Sequence, residues 1–223
     1  MSWLYLSIFS ALLLGVYDLF KKLAVTNNAV LPVLFLSICT AAGVWLPFMI
    51  WSVISPDTLP SRFFYVSHLN GREHLQIFAK AVLVVTSWIC GFNGIKHLPM
   101  SIAGPIRASA PLWTVLFAVL IFHESPNVRQ WSGVGVILIS FFAFSLIGKK
   151  EGIRFHRDRG VWWMIGAMLL GAASALYDKF LLQNAGMSPA TVQAWFSVDM
   201  AIVLLPAVLF RHFTKTSPPF HWH

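Results

Sequence analysis

A series of apolar runs, each close to the ~20 residues a helix needs to cross a bilayer, most constrains this chain. Short clusters of charged and turn residues separate them. Dividing the 223 residues at those clusters gives seven candidate spans, 3–24, 31–54, 79–95, 98–122, 131–147, 161–182 and 189–210. Charged residues make up 11% of the chain and hydrophobic ones 57%, whereas soluble proteins carry roughly 25% charged residues. The expected fold is an all-α integral membrane protein with seven transmembrane helices. Its partner is the lipid bilayer and its location the cell membrane.

The remaining composition narrows the class further. A net charge of +8 would suit a nucleic-acid binder, but the basic residues stand at span ends, where membrane proteins place them, so no nucleic-acid partner is expected. No basic segment precedes the first run, and 3–23 reads as a retained span rather than a cleaved signal. Cys39 and Cys90 both lie within apolar runs, with neither a disulfide framework nor a zinc spacing. No metal site and no cofactor are expected. Lys80 and Lys96 bound the third run and make it a short span whose lysines snorkel. The preceding stretch, 55–76, with Arg72 and Glu73, reads as an extramembrane loop, and 149–160 as a basic linker.

Sliding the chain on itself by 160 residues lays Tyr17 and Asp18 on Tyr177 and Asp178, and Phe20 on Phe180. At the same offset Ser7, Ala11 and Gly15 fall on Ala167, Gly171 and Ala175. Such stripes of small residues let membrane helices approach closely. Ser37 falls on Ser197, Phe35 on Trp195, and Pro47 lies within one residue of Pro206. Five spans fill one period, and five is odd. The second copy therefore enters the membrane in the opposite sense, as inverted repeats of transporters do. The predicted organisation is a five-helix repeat at 1–148, the linker at 149–160, and the first two helices of an inverted repeat at 161–223.

The stretch LPMSIAGPIRASAPL at 98–112, followed by Glu124 and then Gly133, Leu138 and Ile139, resembles an EamA-type member of the drug/metabolite transporter superfamily. The resemblance implies two five-helix repeats and a central cavity that passes small metabolites, amino acids, amines or nucleotide sugars. On that reading the second repeat is incomplete: the chain is truncated, or other helices complete it, and a homo-oligomer is compatible with this. An inactive fragment and a seven-helix protein of receptor type are the alternatives. A retinal protein is excluded, because 189–210 holds no lysine for a Schiff base. Lys and Arg in alternate loops place the N-terminus outside, while the resemblance implies a cytoplasmic one.

Ionisable groups within spans are costly there and face a bundle interior or a wet cavity. Arg107 lies between Pro105 and Pro111. Its guanidinium can bind a carboxylate or phosphate, or pair with an internal acid such as Asp199. Asp199 is a candidate for proton coupling or for holding a substrate amine. Asp18 and Asp178 share a face with the small stripes and point towards other helices. Asp18 can pair with Lys22 one turn later, whereas Asp178 has Leu182 there. Tyr17 and Tyr177 stand beside these acids, and Asn93, between Gly91 and Gly94, can ligate substrate or bridge helices. Trp45, Trp88, Trp113 and Trp195 line a cavity or face lipid. Glu124 is expected to pair with Arg129, with Ser125 or Asn127 capping the fifth helix. No protease, hydrolase or nucleotide-binding motif occurs, and the chain is not expected to be an enzyme. The expected function is secondary transport or export of a small molecule by alternating access, with a proton or another ion for coupling.

Overall fold

The structure is a computed structural model describing residues 2–26, 28–123, 125–150 and 157–213. Among them run eight α-helices: α1 (Ser2–Thr26), α2 (Val30–Ile54), α3 (Gly71–His97), α4 (Met100–Ala108), α5 (Ala110–Phe122), α6 (Val128–Lys150), α7 (Arg159–Lys179) and α8 (Pro189–Phe213). A π-turn, Phe180–Asn184, extends α7. Helices α4 and α5 divide one apolar run, so the seven runs of the sequence become seven helical segments. Five segments among the described residues are long and apolar enough to cross a membrane: α2, α3, Met100–Ile121, Arg159–Asn184 and Pro189–Phe210.

The third span is longer than expected. Asn70 Oδ1 accepts from the Glu73 amide at 2.9 Å while Glu73 Oε2 accepts from the Asn70 amide at 2.8 Å, a reciprocal capping box. The cap starts α3 at Gly71, which draws Arg72 and Glu73 out of the expected loop and into the first helical turn. With 27 residues, α3 has no need of snorkelling lysines. Lys80 is buried within it, 5% exposed.

The break between α4 and α5 follows from Pro111, which has no N–H to donate to the carbonyl of Arg107. Ser109 occupies the junction and its hydroxyl donates to the Ile106 carbonyl at 2.9 Å. Asn127 caps α6, exchanging bonds of 2.7 and 2.9 Å with Gln130. Asp158 caps α7, accepting from the amides of Gly160 and Val161. The flanks of the basic linker thus belong to helices, since Lys149 and Lys150 end α6 and Arg159 begins α7. Glu124 and residues 151–156 lie outside the described residues, and the expected Glu124–Arg129 pair with them.

The core is built on α3, which packs most extensively on α7 and then on α8, while α2 packs on α8. Small residues set the α3–α7 approach. Ser87 donates to the Ala167 carbonyl at 2.8 Å, and a Cβ on Gly94 would come within 3.2 Å of the Met164 backbone nitrogen. At the start of α7, a Cβ on Gly160 would lie 2.8 Å from Leu98 Cγ.

The two stripes of the repeat fare differently. Ala167 and Gly171 lie against α3, near Gly91 and Ser87, whereas Ala11 and Gly15 on α1 are exposed and a Cβ on Gly15 would meet nothing within 4 Å. The expectation that both stripes seat other helices is corrected for α1. Small residues permit close approach but do not specify a partner. Ser37 donates to the Val33 carbonyl at 3.0 Å and Ser197 to the Gln193 carbonyl at 2.8 Å, the same bond to the preceding turn that Thr40, Ser52 and Thr86 make. Pro47 and Pro206 lie inside α2 and α8.

Candidate functional site

Adjacent lysines on α1 project to different sides because successive helical residues are about 100° apart. Lys22 Nζ donates to the carbonyls of Ile95, Lys96 and Leu98 at 2.6, 3.2 and 2.9 Å. It caps the C-terminal end of α3, where unpaired carbonyls and the helix dipole favour a cation. Lys96 Nζ donates to the Asn28 carbonyl at 2.9 Å, which ties the same corner to the α1–α2 turn. Lys22 is therefore occupied, and the expected Asp18–Lys22 pair does not form.

Lys21 turns the other way. Its ammonium lies 4.3 Å from the ring centroid of Tyr17, 4.7 Å from that of Phe92 and 5.5 Å from that of Trp88. Aromatic faces attract a cation at such distances. The partner of Asp18 is Arg107, whose Nη1 donates to Asp18 Oδ1. This replaces the expected Arg107–Asp199 pair and joins α4 to α1.

Lys21 and Arg107 both line a cavity of about 320 Å³. Trp88 and Phe92 of α3, Thr114 of α5, and Met164, Met168 and Gly171 of α7 complete its walls. The cavity is mostly apolar and its charges do not cancel, since Arg107 is matched by Asp18 but Lys21 has no acid in ion-pair contact among the described residues. One net positive charge faces the hollow.

The other sequence candidates lie elsewhere. Asp178 pairs with Lys80 at 2.5 Å, and Lys80 Nζ sits 4.2 Å above the Phe196 ring. Tyr177 donates to the Gln76 carbonyl at 3.2 Å and its ring packs on Phe180. Asn93 donates to the Ile89 carbonyl of its own helix at 2.7 Å, so it bridges neither helices nor the cavity. Asp199 Oδ2 and Trp195 Nε1, one turn apart on α8, are buried and have no hydrogen-bond partner among the described residues, and the His74 ring stands edge-on to Trp195 at 4.4 Å. Asp18 and Asp178 are each held by a different base, so they form no proton-sharing dyad. Of the sequence candidates, Arg107 and Trp88 line the cavity and Asp18 and Tyr17 adjoin it.

Residues 1–146 match the EamA-like transporter family. The chain belongs to that family. It is a multi-pass membrane protein of the transporter class. No curated protein and no solved structure matches it. In this EamA-like chain the matched segment holds α1, α3, α4 and α5, so four of the five helices around the cavity fall within it and α7 lies beyond.

Sequence reasoning missed Lys21, His74 and Lys80. Lys21 reads as one of two basic residues ending a span, a place where lysines commonly serve only as anchors. Its signal is helical spacing: Tyr17 is four residues earlier, on the same face.

Proposed function

We propose that this EamA-like protein carries out secondary transport of small metabolites by alternating access, with the hollow beside Lys21 and Arg107 as its substrate site. The observation that carries the reading is a cavity between α1, α3, α4, α5 and α7 with two cations on an otherwise largely apolar wall. Ligand sites have that character, with few polar groups fixing orientation in an apolar pocket. Membership of a transporter family supports it.

The organisation proposed is one five-span repeat at 1–148, the linker at 149–160, and the opening helices of an inverted repeat at 161–223. Support comes from the 160-residue offset in sequence, which lays Tyr17, Asp18 and Phe20 on Tyr177, Asp178 and Phe180. An inverted repeat allows one half to rock against the other about a fixed site. The coupling residue proposed is Asp199. Asp18 and Asp178 are committed to ion pairs, whereas the buried Asp199 Oδ2 has none.

The test is flux. Proteoliposomes containing the full chain, loaded with a defined mixture of amino acids, primary amines and small organic acids, should release a subset faster than protein-free vesicles, read by mass spectrometry of the external medium. Arg107→Ala should abolish that release while the protein still inserts. A release profile identical to that of empty vesicles for all loaded compounds would refute transport.

A further inference from the structure

We propose that the cavity selects organic monoanions, a single carboxylate carried on an apolar body, and that Lys21 rather than Arg107 receives the carboxylate. Calling this ligand the substrate rests on the transport reading; its binding does not.

Charge balance comes first. Asp18 neutralises Arg107, and Lys21 contributes one further positive charge to the wall. A monoanion brings the site to neutrality, whereas a phosphate monoester dianion leaves a negative charge in a largely apolar hollow, where unpaired charge is costly. An amine meets an ammonium and a guanidinium, with the Asp18 carboxylate beside them already engaged.

Donor availability comes second. An ammonium has three N–H donors. Lys21 Nζ is collared by the faces of Tyr17, Phe92 and Trp88, and among the described residues no oxygen or nitrogen accepts from it. Ring faces attract the charge without occupying the donors as a carboxylate does. Arg107 gives one of its five N–H donors to Asp18, and with it the charge that would otherwise face the ligand.

Shape comes third. A volume of about 320 Å³ is at the lower end of the roughly 300–1,000 Å³ that ligand pockets occupy, and Met164, Met168 and Phe92 offer apolar contact to the rest of the ligand.

The test is calorimetric titration of the full chain in detergent with 3-phenylpropionate, its neutral amide, 3-phenylpropylamine and phenyl phosphate. The acid should bind at least about tenfold tighter than the amide and the amine, as loss of a charge-assisted hydrogen bond implies. Phenyl phosphate should bind no tighter than the acid. Lys21→Gln should reduce the acid to the level of the amide, and Lys21→Arg should restore it. Equal binding of acid and amide by the unaltered protein, no binding of the acid, tighter binding of phenyl phosphate, or a folded Lys21→Gln protein with unchanged preference each overturns the proposal. Acid-selective binding without vesicle flux removes the transport reading and leaves this assignment standing. Flux with no preference for acids does the reverse.

Discussion

The guanidinium of Arg107 on α4 donates to the carboxylate of Asp18 on α1, 89 residues away in sequence. The bond joins two helices beside the cavity and matches the charge of the arginine that lines it. Lys21, three residues after Asp18, is left as the uncompensated charge.

Asp18→Asn should move binding and stability in opposite directions. Freeing the guanidinium adds a second unmatched positive charge, so 3-phenylpropionate should bind tighter by roughly fivefold to tenfold. Arg107 loses its partner in a half-buried place, and unfolding in denaturing detergent should become easier by about 1–3 kcal/mol. Adding Arg107→Gln should recover part of that stability and cancel the gain in affinity. A calorimetric titration paired with an unfolding series reads both effects.

The small residues of α3 and α1 should respond differently to the same substitution. Gly94→Ala pushes a methyl group against the Met164 backbone, and overpacking of this kind costs about 1–3 kcal/mol. Gly15→Ala meets no neighbour and gains helix propensity, so its unfolding should shift by no more than about 1 kcal/mol, towards stability. Comparable losses in both variants would mean that the face of α1 is covered in the membrane.

Asp199→Asn tests the coupling role. The buried Oδ2 has no hydrogen-bond partner, so substitution removes no native bond and thermal stability in detergent should be kept or slightly raised. Vesicle flux should nevertheless be lost, together with its response to an imposed pH gradient. A stable variant with full, pH-responsive flux would return Asp199 to packing alone.

Inverted entry of the two stripe-bearing helices can be read by labelling. In a protein with Cys39 and Cys90 replaced by serine, Thr26→Cys and Gln183→Cys mark the exposed ends of α1 and of the turn after α7. A membrane-impermeant maleimide applied to sealed, uniformly oriented vesicles should modify one and spare the other. Labelling of both from the same side would contradict the inverted repeat.

Several elements were legible because their causes are local. The Asn127 cap of α6 depends on residues within one turn and was expected, whereas the Asn70–Glu73 box and the break before Pro111 are equally local but were missed, because counting charges put 55–76 in a loop and run length kept 98–122 as one span. The site was less legible. Arg107, Asp18 and Tyr17 were identified, but the partners expected of Arg107 and Asp18 were replaced, and Lys21 passed for an anchor.

The membrane environment, the number of apolar helical segments and the family could be read along the chain, because apolar run length and helical spacing are properties of neighbouring residues and their solvent. Which charges cancel and which remain depends on how the helices pack. Arg107 meets Asp18, Lys80 meets Asp178 and Lys22 meets the end of α3, leaving Lys21 facing the hollow. Side-chain pairing across helices depends on the packing angle and depth of each helix against the next, and no spacing along the chain encodes that directly.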